Sequence, residues 1–202
     1  MDRDTELALV ERLRQNDAGA FDEVYDAFNA RLFTFLIRRS RRREVAEDLL
    51  EETWLRLVTH ARRLRPDTRL AAWLFTVARN LHISYQRSRL LEDSAAVSVM
   101  ALWPFNPART SPFESVAASE LERRIERALA CMPEASREVL LLVGVAGLDH
   151  SDAADVLGLT PDALRQRLHR ARETLSKALE NSGDVRIVDP TAGRLADGAT
   201  GS

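Results

Sequence analysis

GLDHSDAADVLGLTPDALRQRLHRAR, from Gly147 to Arg172, is the stretch whose reading decides the fold. A short helix carries Ala153, Ala154 and Leu157 inward and stops at Gly158, the residue type that enters the left-handed conformation without a Cβ penalty. Ala154 is small enough for a second helix to approach closely. That helix opens at Thr160 and Pro161, because threonine is a good N-cap and proline suits the first helical position. Leu164, Leu168, Ala171 and Leu175 recur at three- and four-residue steps and anchor it. Arg165, Gln166, Arg167, His169, Arg170 and Arg172 are left to project outward. A helix, a sharp turn and a basic helix make a helix-turn-helix, whose second helix reads the major groove and its flanking phosphates. Hairpins with glycine at the turn occur in many proteins that never touch DNA; the capped, basic second helix moves this one toward nucleic acid.

Upstream the helical pattern continues. Leu7, Val10 and Leu13, then Phe21, Val24, Tyr25, Phe28, Leu32, Phe35 and Leu36, mark two core stripes. A third segment places Ala46, Leu49, Leu50, Thr53, Trp54 and Leu57 on one side, with Glu47, Asp48, Glu51 and Glu52 partly on the other. Pro66 breaks the pattern, so Arg65 to Arg69 is predicted to be a loop, and Leu70, Trp73, Leu74, Val77, Ala78 and Leu81 resume it. The expectation is a four-helix N-terminal domain over 1–90 with its aromatic residues in the core. Periodicity fades over 91–115, where Pro104, Pro107 and Pro112 indicate a linker. Helical signal returns over 116–131, stops before Pro133 and restarts at Glu134, giving a second domain over 116–180. The Gly-, Asp- and Thr-rich residues 181–202 read as a disordered tail. The fold class is all-α, in two small helical domains.

The 202 residues carry 45% hydrophobic and 30% charged side chains, which suits an ordered globular chain rich in helix formers. No apolar run reaches membrane-spanning length and the N-terminus lacks a signal-peptide layout, so a cytoplasmic protein is expected, without membrane insertion. The lone Cys131 is expected to be a buried thiol. His150, His169 and Cys131 lack compact ligand spacing, so no metal is expected. No Gly-rich phosphate loop and no Ser, His and Asp grouping with a recognisable catalytic frame occurs, so neither an enzyme nor a cofactor is expected. Net charge is −2, but its distribution is uneven. Of 29 basic residues only Lys177 is lysine, and arginine clusters at Arg38, Arg39, Arg41, Arg42 and Arg43, around Arg79 to Arg89, and at Arg165 to Arg172. A single run is ordinarily a solvated helix face; repeated arginine patches point to phosphate and guanine, which suit the guanidinium fork.

The Gly147–Arg172 stretch, RLHRAR above all, preceded by MPEASREVLLL, resembles region 4 of extracytoplasmic-function sigma factors of RNA polymerase. DAGAFDEVYDAFNARLFTFLIRR, AEDLLEETWLRL and AWLFTVARNL resemble region 2, in the family's order and spacing. The resemblance covers about residues 5 to 180 and implies a sigma factor that binds core RNA polymerase and directs promoter-specific initiation. It implies that Glu47, Asp48, Glu51 and Glu52 dock on the β′ clamp helices, with Leu49 or Leu50 adding apolar contact and the β subunit a further contact. It implies that the loop Arg65, Asp67, Thr68 and Arg69 captures a flipped base of the −10 element, with Arg79, Asn80, His82 and Arg87 along the next helix. Asp162, Ala163, Arg165, Gln166, Arg167, His169 and Arg170 take the place of the −35 reader. Promoter DNA and an anti-sigma factor complete the implied partners.

The sequence departs from the family at Ser84, where Asp is frequent, at Glu51, where Gln is, and at Asp162, Ala163 and Leu164, which replace a Gly-Thr-Val pattern. Asp162 favours the helix start and repels phosphate; it is either a first-turn stabiliser or an acceptor for a cytosine amino group. His169 is either a phosphate donor or a bystander. The alternative to a sigma factor is a polymerase-independent helix-turn-helix regulator, in which the acidic AEDLLEETW helix and the loop at Pro66 have no evident purpose.

Overall fold

A helix starts where a side chain takes up its free N–H groups, and Asp17 does so by accepting from Gly19 N at 2.8 Å and Ala20 N at 3.4 Å. The computed structural model describes residues 3–96 and 120–183, and their side chains except at 92–96, 121 and 181–183. The N-terminal domain comprises α1 (Arg3–Arg14), α2 (Ala18–Ser40), α3 (Arg43–His60) and α4 (Leu70–Ala96), with a 3-10 turn at Ala61–Arg63. The second domain comprises α5 (Glu120–Cys131), α6 (Glu134–Leu140), a π turn (Leu141–Val145), α7 (His150–Leu157) and α8 (Pro161–Gly183). No strand occurs among the described residues.

The stripes are core as expected except at Tyr25, which is 40% exposed and packs on Trp54 at 4.9 Å, while Leu7 and Phe21 are half-buried. Val24, Phe28, Leu32, Phe35 and Leu36 of α2 are buried against Ala46, Trp54 and Leu57 of α3 and Leu70, Leu74, Phe75 and Ala78 of α4. Aromatic packing adds geometry: Phe35 meets Phe75 edge-on at 5.4 Å, and Trp54 meets Phe21 edge-on at 5.8 Å. The Trp54 indole donates to Asn29 Oδ1 at 3.1 Å, so its polar end is satisfied. Arg41 closes α2 in the left-handed conformation at φ 55°, unusual without glycine, and its guanidinium donates to Ala130 O at 2.7 Å.

The helix-turn-helix forms as the sequence predicts. Gly158 is left-handed at φ 62°, and Thr160 Oγ1 accepts from Ala163 N at 3.2 Å. Ala153, Ala154, Leu164, Leu168 and Ala171 are buried; Val156 takes the deep place expected of Leu157, which is half-buried.

Several expectations change. Helix α4 continues through Ala96, past the linker start at 91, because no proline or glycine interrupts Leu90–Ala96. Residues 97–115 of the expected linker and 116–119 of the expected helix lie outside the described residues. Helix α8 continues to Gly183, into the tail expected to be disordered from 181, and 184–202 lie outside the described residues. Cys131 is exposed, not buried: it ends α5, and the adjacent Met132 fills the core position. The apolar interiors of the two domains also meet in one continuous cluster, with α2 and α4 against the π turn and α7.

Gly158 and Gly144 separate backbone strain from crowding, because a Cβ on either meets nothing within 4 Å and only Gly158 has positive φ. We expect Gly158→Ala to destabilise the chain by about 1 kcal/mol in urea denaturation, the scale of a left-handed penalty. Gly144→Ala is expected to cause no loss, since it restricts the unfolded chain without strain.

Candidate nucleic-acid and polymerase interfaces

The loop at Pro66 is built from its neighbours. Thr68 N donates to Arg65 O at 3.0 Å, closing a turn, and Arg65 grips Asp67 with two bonds of 3.1 Å. Arg3 of α1 donates to Asp67 O at 2.7 Å and is itself paired with Glu6 at 2.6 Å. Glu6 then accepts from Leu70 N at 2.7 Å, capping α4 from another helix. Sequence reasoning missed Arg3 and Glu6; the signal available was that α4 has no cap residue of its own type before Leu70.

Arg69 leaves the loop and enters the second domain. It donates to Ser151 Oγ and to Asp149 Oδ2, both at 2.8 Å, and its Nε lies 2.6 Å from Asp152 Oδ1, with Asp155 at 4.0 Å. Arg79 behaves alike, donating to Glu138 Oε1 at 2.9 Å. That oxygen also accepts from Arg39, whose side chain is 4% exposed. Arg39 further donates to Glu134 at 3.0 Å and to His82 Nδ1 at 3.2 Å. His82 is buried at 2%, so this ring faces α2 and α6 and not solvent. Its accepting Nδ1 requires the neutral ring, and burial first, then Arg39 and Arg137, lowers its pKa to about 4. Asn80 and Arg87 remain exposed on α4.

Three arginines of the run at the end of α2 are spent in the same seam. Arg38 pairs with Glu126 at 3.0 Å, Arg39 with Glu134 and Glu138, and Arg41 with the Ala130 carbonyl; Arg31 donates to Ala146 O at 2.6 Å. Arg42 reaches the Tyr85 hydroxyl at 3.3 Å and Arg43 reaches Glu47 at 2.8 Å. Arg38, Arg39 and Arg41 thus join the two domains and Arg42 and Arg43 pair within the first, where the run's sequence alone pointed to nucleic acid.

On α3, Glu47, Asp48 and Glu51 are exposed, and Glu52 is half-buried beside Arg56 at 2.9 Å. Leu49 is buried at 8%, turned into the core and away from the outer face. The exposed apolar residues of this helix are Leu55 and Val58, which the sequence reading did not single out. On α8, Arg165, Gln166, His169 and Arg170 are exposed, and Ala163 and Arg167 are half-buried. Asp162 is exposed and pairs with Arg165 one turn on, which adds a third role to the two left open for it. His169 lies 3.5 Å from Glu173. Arg167, Arg170 and Arg172 have no ion pair among the described residues.

The chain matches Sigma-70 region 2 over residues 24–90 and Sigma-70, region 4 over residues 122–175. It is 34% identical over 153 residues to the ECF RNA polymerase sigma factor EcfG of Rhodopseudomonas palustris (strain TIE-1), covering 75% of this chain and 81% of that one. The chain belongs to the sigma-70 family, in its extracytoplasmic-function group. As a sigma factor it serves promoter-specific transcription initiation. The RNA polymerase sigma factor CarQ of Myxococcus xanthus is 31% identical over 179 residues, 84% of this chain and 95% of that one. Among solved structures, the sigma factor RpoE in complex with the anti-sigma factor NepR from Bartonella quintana has a TM-score of 0.64 at 27% identity, over 79% of this chain and 96% of that one. CnrH in complex with the cytosolic domain of CnrY shares the fold, with a TM-score of 0.62 at 23% identity over 87% of this chain and 97% of that one. Two family matches in one chain leave no place for the polymerase-independent regulator. No helix among the described residues is long and apolar enough to cross a membrane.

Asp152 and His82 give the seam opposite responses to pH. Burial first, then Asp149, pushes the Asp152 carboxyl up to about 6; Glu6 and Asp155 add to this, Arg69 opposes it, and Arg31 faces it from α2. A raised carboxyl stabilises fully below its ordinary value of 3.8, and that contribution is lost as pH rises through about 6. The depressed His82 stabilises fully above 6.5, and that contribution is lost as pH falls through about 4. We expect Asp152→Asn to gain urea stability relative to the parent as pH rises from about 4 to about 7. A difference that does not vary with pH would mean that Asp152 does not titrate in the seam.

Proposed function

We propose that this sigma factor docks on core RNA polymerase through the outer face of α3, captures the −10 element with the Pro66 loop and α4, and reads the −35 element with α8. The observation that carries this is the outward face of α8: Arg165, Gln166, His169 and Arg170 are exposed on a helix whose other face is fixed by buried Leu164, Leu168 and Ala171. Such a helix holds its donors in one register against a groove, where arginine takes guanine and Gln166 takes adenine. Glu47, Asp48 and Glu51 offer carboxylates to a basic partner, and Leu55 and Val58 add the apolar contact first assigned to Leu49. The −10 set is Arg65, Asp67, Thr68, Arg69, Arg79, Asn80 and Arg87; His82 supports α4 from inside. The chain acts by binding, not by catalysis, and works in the cytoplasm where its polymerase is. The likeness to RpoE bound to NepR supports an anti-sigma factor as a further partner.

Two variants test the division of labour in transcription with core enzyme. Asp48→Arg with Glu51→Arg is expected to weaken core binding, most at low salt, because charge complementarity at a rim is screened. Binding as tight as the parent's would remove α3 as the dock. Arg165→Ala with Arg170→Ala is expected to weaken −35 duplex binding by about 1 to 3 kcal/mol per lost base contact, leaving core binding intact. Unchanged affinity for the duplex would remove α8 as the reader.

A further inference from the structure

Arg69 and Arg79 are the two arginines of the −10 set that the second domain neutralises, and the carboxylates that do so come from two separate elements. Asp149, Asp152 and Asp155 of α7 and its cap surround Arg69, and Glu138 of α6 holds Arg79. A guanidinium so placed has exchanged phosphate for carboxylate, with the same charge and the same forked geometry. Three carboxylates around one guanidinium exceed what a stabilising ion pair needs, and Asp149 and Asp155 lie close enough to Asp152 to oppose its ionisation. That surplus of negative charge resembles a strand of phosphates more than a structural bridge.

We infer that the carboxylates of α6 and α7 act as an internal DNA mimic that occupies the −10-binding arginines while the two domains are closed against each other. This rests on the −10 placement proposed above. The acidic face then has a specific partner, the Pro66 loop and α4 of the same chain. DNA and the second domain compete for Arg69 and Arg79, so the free sigma factor binds single strands weakly. Arg31 and Arg39 hold the closed arrangement without belonging to the DNA-binding set, since Arg31 grips the Ala146 carbonyl and Arg39 is buried with Glu138.

The test uses the full chain without polymerase and fluorescein-labelled single-stranded DNA of random sequence, read by anisotropy over a salt series. Asp152→Asn with Asp155→Asn weakens the mimic and leaves the Asp149 cap in place; Arg39→Met with Glu138→Gln opens the other contact without stranding a buried cation. Asp22→Asn with Asp26→Asn, two exposed carboxylates of α2, makes the same charge change as the first pair away from the seam. Each seam variant is expected to bind about tenfold more tightly than the Asp22/Asp26 control, as when the open fraction rises from a tenth to nearly all. The salt slope is expected to steepen by roughly 0.7 for each arginine released to phosphate. Equal affinity of the seam variants and the control would overturn the mimic. So would a gain that survives Arg69→Ala in the opened chain, which would also remove Arg69 from the −10 site. A loss of DNA binding on Arg69→Ala in the holoenzyme, with no gain in the free seam variants, would overturn the mimic alone and keep the −10 placement.

Discussion

Arg39 carries a permanent charge into the interior and must be met there by carboxylate. Its partners are Glu134 and Glu138, at sequence separations of 95 and 99, so in the closed chain this buried charge is met from the other domain. Glu138 in turn serves Arg79 as well, and His82 must stay neutral to accept from Arg39. Removing Glu138 alone would leave a buried guanidinium uncompensated, a loss of about 3 to 5 kcal/mol in comparable pairs. This charge cluster and the continuous apolar cluster together hold α6 and α7 against α2, α4 and the Pro66 loop.

Arginine serves two ends in this chain, and exposure separates them. On α8 Arg170 and Arg172 stand out from a packed helix, Arg165 is exposed beside Asp162, and Arg167 is half-buried. On α2 and at the start of α4 they bridge domains through carboxylates and carbonyl oxygens. Lysine, a compact and strongly hydrated charge, would fit neither the shared Glu138 oxygen nor the forked contact at Arg69 as well. The single lysine, Lys177, lies on the exposed side of α8, away from both uses.

The helix-turn-helix was legible because its determinants are local. Gly158 sets the turn, Thr160 and Pro161 set the start, and leucines at helical steps set the buried face. The stripes of α2, α3 and α4 were legible for the same reason. The seam was not, because a pairing such as Arg38 with Glu126 leaves no periodic trace, and the run Arg38–Arg43 looks the same whether it faces phosphate or carboxylate. His82 illustrates the limit: its place in the sequence put it beside Asn80 on the −10 helix, while the helical step turns it inward to Arg39. Cys131 differs from expectation by one position, at the open end of α5 beside buried Met132, while Leu49 lies inside α3 as its stripe predicts and not on the docking face. Leu55 and Val58 were overlooked because an exposed apolar residue is ordinary until the surface around it is known.

On this proposal the two domains are closed in the free chain by these charges and part when polymerase and DNA engage them. Energy transfer between fluorophores at Asp22→Cys on α2 and Lys177→Cys on α8, in a chain carrying Cys131→Ser, measures this most directly. High transfer efficiency in the free chain, falling when core RNA polymerase is added, is the expected result. The same efficiency in the free chain and in the holoenzyme would contradict the account.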